Sequence, residues 1–169
     1  MQSENGAPLE IERKFLIEYP DTARLAALAG GDVSAISQTY LVAEKGVSER
    51  VRARTRGGVT TYTHNTKIKL NAMKRIELED EIDRAAYDEL LRRADPACRT
   101  IEKTRYCVRE GGFVWEIDVF PFWSDKAFLE VELPREDTPV APPAFVRVLR
   151  EVTDDNRYTN HALAIELPE

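Results

Sequence analysis

The chain has 169 residues, a hydrophobic fraction of 43% and a formal net charge of −6, which allows one domain with a substantial core. The acidic balance argues against general nucleic-acid binding, which favours a basic face, but leaves room for a locally basic pocket. The start, Met1-Gln2-Ser3-Glu4-Asn5, lacks the basic and apolar regions of a secretory signal, and no apolar run is long enough to span a membrane. Cys98 and Cys107 match neither a disulfide framework nor metal-ligand spacing, so two reduced thiols in a cytoplasmic protein are expected, a single local disulfide being the lesser alternative.

In chain order, residues 9–18 read as a strand that Pro20 ends. Asp21 caps a short helix carrying Leu25 and Leu28, stopped by Gly30-Gly31. Strands are expected over 38–44, 49–56, 60–70 and 74–83, with Gly57-Gly58 as a hairpin turn. Asp83 caps a helix to about Ala94, with Tyr87, Leu90, Leu91 and Ala94 on one stripe. Strands over 99–109 and 113–120 join through Gly111-Gly112, and 127–133 is a further strand. Pro142 and Pro143 open a helix through Arg150, and Thr153 caps a last short helix holding Tyr158 and Leu163. Short turns favour antiparallel pairing, and about eight such strands close into a barrel wide enough for a small ligand. The fold class is α+β: a closed or nearly closed antiparallel barrel with helices packed outside, residues 1–169 forming one domain.

Charge alternates along these strands with a one-residue gap: Glu10-Ile11-Glu12-Arg13-Lys14, Arg50-Val51-Arg52-Ala53-Arg54, Lys67-Ile68-Lys69, Arg75-Ile76-Glu77-Leu78-Glu79, Lys103-Thr104-Arg105, Glu116-Ile117-Asp118 and Glu130-Val131-Glu132. Alternate side chains share a face, so each run puts its charges on one side. Carboxylates hold divalent cations and Arg and Lys hold phosphates, so such a face suits a metal-polyphosphate ligand. Periodicity relates the two faces without saying which is inside. Either the charges meet water over a core of Ile11, Val51, Ile68, Leu78, Ile117, Val119 and Val131, or they line a lumen. Nearly every strand carries the charge, and the paired carboxylates sit side by side; both favour the lumen.

Taken in order, Glu10-Ile11-Glu12-Arg13-Lys14, Gln38-Thr39-Tyr40-Leu41, Arg52-Ala53-Arg54, Lys67, Arg75-Ile76-Glu77-Leu78-Glu79, Glu102-Lys103-Thr104-Arg105-Tyr106, Trp115-Glu116-Ile117-Asp118-Val119-Phe120, Leu129-Glu130-Val131-Glu132-Leu133, Glu151-Val152-Thr153 and Arg157-Tyr158 with Asn160 resemble the CYTH superfamily, the triphosphate tunnel metalloenzymes, and its short bacterial members. The resemblance runs from Glu10 to about Leu163. It implies an eight-stranded tunnel lined by charge, binding a linear triphosphate with Mg²⁺ or Mn²⁺. It further implies a metal-binding set of Glu10, Glu12, Glu130 and Glu132, with Glu116 and Asp118 beside it. Lys14, Arg52, Arg54, Arg75, Lys103 and Arg105 would hold phosphate oxygens, and Arg157 lies where the family has a helix closing one tunnel mouth. Lys67 matches the strand lysine assigned a catalytic role. The pattern departs here: Thr66-Lys67-Ile68-Lys69 lacks the glycine that often follows the lysine, and Lys69 shares the face.

The expected activity is metal-dependent hydrolysis of inorganic tripolyphosphate or a small organic triphosphate, with Lys67 activating water or stabilising developing charge and an alkaline optimum. A class IV-type adenylyl cyclase uses the same triphosphate site, and a non-catalytic polyphosphate or nucleotide sensor is a third reading; thiamine triphosphate also stays open as substrate. The partner is a triphosphate-containing small molecule, with no nucleic acid and no membrane, and the size suits an isologous homodimer. His64 and His161 are expected on outer or solvent-facing positions, Cys107 towards the lumen, and Arg50 and Arg56 near the tunnel mouths rather than at the chemistry.

Overall fold

The computed structural model describes residues 9–169. β1 (Leu9–Glu18), α1 (Thr22–Ala29), β2 (Val33–Tyr40), β3 (Val47–Arg56), β4 (Val59–Lys69), β5 (Lys74–Ile82) and α2 (Arg84–Leu90) follow one another. After a 3-10 turn at Leu91–Arg93 come β6 (Ile101–Glu110), β7 (Phe113–Val119), β8 (Lys126–Glu132) and β9 (Val148–Glu151). A second 3-10 turn at Asn156–Tyr158 precedes α3 (Asn160–Ile165). Hydrogen-bonded neighbours run β5-β4-β3-β2-β6-β7-β8-β1, and β5 pairs back onto β1, closing an eight-stranded antiparallel barrel. β1 gives Leu9–Ile11 to β5 and Phe15–Ile17 to β9, so β9 lies outside the closed ring.

The turns follow from the glycines. Gly57 and Gly58 both have positive φ (57° and 79°) between the paired Arg56 and Val59, the backbone that a two-residue hairpin matched to strand twist requires. Asp21 accepts from the Arg24 amide and Asp83 from the Ala86 amide, capping α1 and α2 as the sequence suggests.

The apolar face of the barrel is its outside. Ile11, Phe15 and Ile17 of β1, Trp115 and Ile117 of β7, and Leu129 and Val131 of β8 are buried beneath Leu25 of α1 and beneath Val140, Phe145, Val146 and Val148. Each fully buried side chain of this kind contributes about 1.5–3 kcal/mol. A second cluster, with Leu16, Tyr40, Phe120, Phe128, Tyr158 and Leu163, seals one end of the barrel. The charged face therefore turns towards the lumen.

Three local expectations are corrected. β2 begins at Val33 and ends at Tyr40, eight residues rather than the 38–44 expected; Ser34 and Ala35 hide its start by their weak strand preference. Pro142 and Pro143 start no helix. The β-branched Val146 and Val148 instead lead into β9, which takes the edge of β1 that β5 leaves unpaired. Thr153 caps no helix either: its hydroxyl accepts from the Lys14 amide, while Asp155 and Thr159 cap the last two elements. Among the described residues, no helix is long and apolar enough to cross a membrane.

Candidate active site in the barrel lumen

A cavity of about 860 Å³ occupies the lumen. Strand alternation delivers its lining: Glu10, Glu12 and Lys14 from β1, Arg50, Arg52 and Arg54 from β3, Lys67 and Lys69 from β4, and Arg75, Glu77 and Glu79 from β5. Lys103, Arg105 and Cys107 come from β6, Glu116 from β7, and Glu130 and Glu132 from β8.

Signs are segregated around the ring. β7, β8 and β1 are neighbours and carry five carboxylates, Glu116, Glu130, Glu132, Glu10 and Glu12. β3 stands four places from β8 in the ring of eight, so its arginines face the acidic wall across the lumen. Among the described residues, none of Arg50, Arg52 and Arg54 has a carboxylate partner. Arg52 donates to Gln38 Oε1 at 2.9 Å and Arg54 to Ser34 Oγ at 2.8 Å, both neutral acceptors. Their charge is held in place and left unneutralised, as an anion site requires.

Cations nearer the acidic wall pair with it. Lys14 Nζ lies 3.1 Å from Glu130 Oε1 and 4.0 Å from the centre of the Phe128 ring. Arg75 lies 3.0 Å from Glu12, and Arg105 pairs with Glu116. Lys67 has looser contacts, 3.6 Å to Glu10 and 3.9 Å to Glu77. Burial and the neighbouring Arg50 guanidinium push its ammonium down to about 8. Burial likewise pushes the Cys107 thiol up to about 11, which keeps it protonated at neutral pH.

Two expected site residues stand elsewhere. Asp118 is fully buried behind the lining, 2.8 Å from Lys103 Nζ and gripped by Arg105 through two bonds of 2.7 and 2.8 Å. Burial alone would raise its pKa, but Arg105 and Lys103 override that and hold it well below the usual carboxylate range. Its lone pairs are spent on the two cations. Arg157 is also outside the lining; its guanidinium is two-thirds exposed and clamps Asp155 at 2.7 and 2.9 Å.

The segment after β9 covers one mouth. Asn156 accepts from Lys69, Asn160 accepts from Lys103 at 3.1 Å, and the His161 ring stacks on Tyr40 with centroids 4.5 Å apart. His161 is therefore half-buried and lines the cavity, against the solvent-facing position expected. Arg50 likewise lies inside the lumen. Its signal was in the sequence, since it shares strand parity with Arg52 and Arg54; the signal for Asn156, Asn160 and His161 was not, because only chain return brings them there.

The CYTH domain family model matches residues 8–158. The chain belongs to the CYTH domain family. It is 34% identical over 167 residues to an inorganic triphosphatase of Nitrosomonas europaea, spanning 94% of this chain and 99% of that protein. It is 34% identical over 157 residues to an inorganic triphosphatase of Acetivibrio thermocellus, with 91% and 92% covered. The crystal structure of an inorganic triphosphatase superimposes with a TM-score of 0.56 at 32% identity, over 95% of this chain and 97% of that one.

The lumen of this CYTH domain fits a divalent cation. The Glu10 Oε2 atom is buried without a hydrogen-bond partner, Lys67 Nζ standing 3.6 Å away. Burial, with Glu130 and Asp118 nearby, raises the Glu116 carboxyl against the pull of Arg105. Both are relieved by an added positive charge. Among the described residues no three carboxylates form a ready cation cage.

Proposed function

We propose that this protein is a metal-dependent triphosphatase that hydrolyses a linear triphosphate, inorganic tripolyphosphate being the simplest, to diphosphate and phosphate. The observation that carries this reading is the pair of facing walls: three arginines on β3 without carboxylate partners among the described residues, opposite the carboxylates of β8 and β1. A triphosphate between them meets cations on one side and cation-binding oxygens on the other. The relatives named inorganic triphosphatase support the same reading.

Arg52, Arg54, Arg75, Lys103, Arg105 and Lys14 bind and orient the phosphate oxygens; the guanidinium forks give paired, charge-assisted contacts. Glu10, Glu12, Glu130 and Glu132, with Glu116 beside them, would hold Mg²⁺ or Mn²⁺. When bound, such an ion offsets phosphate charge and lowers the pKa of a water on it. Lys67 orients the attacking water and meets charge developing at the terminal phosphate. Water attacks the terminal phosphorus, the bridging P–O bond breaks, diphosphate leaves, and one proton is released. Asp118 acts through others, fixing Lys103 and Arg105 against the lumen wall. Positioning and electrostatics supply most of the rate in chemistry of this kind.

The match over residues 8–158 supports reading the chain as one such domain. The two free thiols suit a reducing cytoplasm. The ligand is a small molecule, without nucleic acid or membrane.

A substrate panel tests the reading: tripolyphosphate, ATP and thiamine triphosphate with Mg²⁺ or Mn²⁺, with phosphate, diphosphate and cyclic AMP all quantified. Phosphate and diphosphate from tripolyphosphate in equal amounts are expected. Cyclic AMP with diphosphate from ATP would make it a cyclase, and binding without any product a sensor.

A further inference from the structure

We propose that Arg50 holds the unesterified terminal phosphate of the triphosphate, at the covered end of the lumen; this rests on the triphosphate reading and adds an orientation to it. Arg50 is 7% exposed, and its Nε is buried without a hydrogen-bond partner. Among the described residues no carboxylate pairs with it. A buried guanidinium in that state is costly until an anion arrives. The Tyr40 hydroxyl orients the Arg50 guanidinium, as Gln38 and Ser34 orient Arg52 and Arg54, but Arg50 alone of the three keeps a buried nitrogen, Nε, without a partner.

Position supplies the orientation. β3 begins at the covered mouth, so Arg50, Arg52 and Arg54 form a row leading away from it, each step about 6.8 Å. Arg50 lies close to the Tyr40 hydroxyl, where it opposes the rise that burial imposes, and to Lys67, where it adds to the lowering by burial. Tyr40 is the residue on which His161 of the covering segment stacks. An esterified phosphate carries a substituent that needs room, and at this end residues of the segment from Val152 to His161 wall the cavity. At the opposite mouth, among the described residues, no residue of the hairpin loops lines the cavity. An organic group on the triphosphate therefore exits past Arg54 and Cys107, and the free end, with the most charge and the most unshared oxygens, meets Arg50.

Binding without turnover tests this. Calorimetry on the full chain in EDTA compares tripolyphosphate with a dinucleoside triphosphate, which is esterified at both ends. The wild type binds tripolyphosphate more tightly by about 10-fold or more. Arg50→Gln weakens tripolyphosphate by about 10- to 100-fold, the loss of a charge-assisted contact, and leaves the doubly esterified ligand within about 3-fold. The ligand-free melting temperature of Arg50→Gln equals or exceeds that of wild type, because an uncompensated charge has gone. Arg50→Lys keeps the charge without the fork and shows an intermediate loss; it carries the test alone should Arg50→Gln not fold. Unchanged tripolyphosphate affinity in the variants, or equal loss on both ligands, overturns the role of Arg50 alone. A wild type that binds neither ligand overturns the triphosphate reading itself, and the orientation with it.

Discussion

Lys103 and Asp118 meet at 2.8 Å with side-chain exposures of 0% and 1%. Burial lowers the Lys103 ammonium while Asp118 opposes that shift, and the same carboxylate also holds Arg105. Removing it would leave one ammonium and one guanidinium without their shared partner, a change that typically destabilises by about 3–5 kcal/mol. Asp118→Asn is therefore expected to lower stability by about that amount in chemical denaturation and to raise KM for tripolyphosphate through loose cations. The metal concentration at half-maximal rate should stay near wild type. A large rise in that concentration with little loss of stability would instead place Asp118 among the metal ligands.

The acidic wall should behave in the opposite way. Glu130→Gln and Glu12→Gln remove one charge each from the carboxylates proposed to hold the cation. Groups that merely support a metal ligand already cost 10–100-fold in affinity when replaced, so a ligand should cost about 10-fold or more. Activity titrated with Mn²⁺ should reach half-maximum at a correspondingly higher concentration, with kcat partly recovered at saturation. An unmoved midpoint in both variants would remove them from the metal set.

The contrast between Asp118 and Glu130 also shows what a single sequence can and cannot carry. Period-two alternation is local, so the charged face, the paired carboxylates and the arginine row were legible strand by strand. The fate of Asp118 depends on register: Arg105 lies directly across from it on β6, and no pattern within β7 reveals that. Sequence alone places Arg50 at a mouth, because its depth depends on how β3 sits in the closed ring. The proline pair suggests a helix where β9 forms, because the strand character of β9 depends on an edge of β1 left free by β5. The covering segment brings His161 and Asn160 to the lumen over the length of the whole chain. Local rules fixed faces and caps; closure and return of the chain decided the rest.

The two lysines of β4 are separable. Lys67 is partly buried between Glu10 and Glu77, whereas Lys69 is more exposed and donates to Asn156 of the covering segment. Lys67→Ala is expected to lower kcat by about 10²–10⁴-fold, the range for a positioned group that assists proton transfer, while tripolyphosphate binding falls much less. Lys69→Ala should leave kcat within a few-fold. Single-turnover rates with binding measured separately decide it, and the reverse ranking would move the assignment to Lys69.

His161 should make the covered end of the barrel sensitive to acid. Burial against Tyr40 lowers its pKa below the ordinary value of 6.5, with Asp95 opposing weakly. A group depressed in the folded state contributes stability that is present above its unfolded pKa and lost as pH falls through the folded one. The stack should thus be intact above about pH 6.5 and weaken below it, as the ring takes up a proton in partly desolvated surroundings. His161→Phe keeps an aromatic on Tyr40 and removes the titration. The melting temperature of wild type relative to His161→Phe should fall between pH 7.5 and pH 5.5. Comparing the two proteins cancels the other groups that titrate in this window, Lys103 at about 7 among them. A difference that is flat with pH would mean that the imidazole keeps its ordinary proton affinity and that the stack is indifferent to charge.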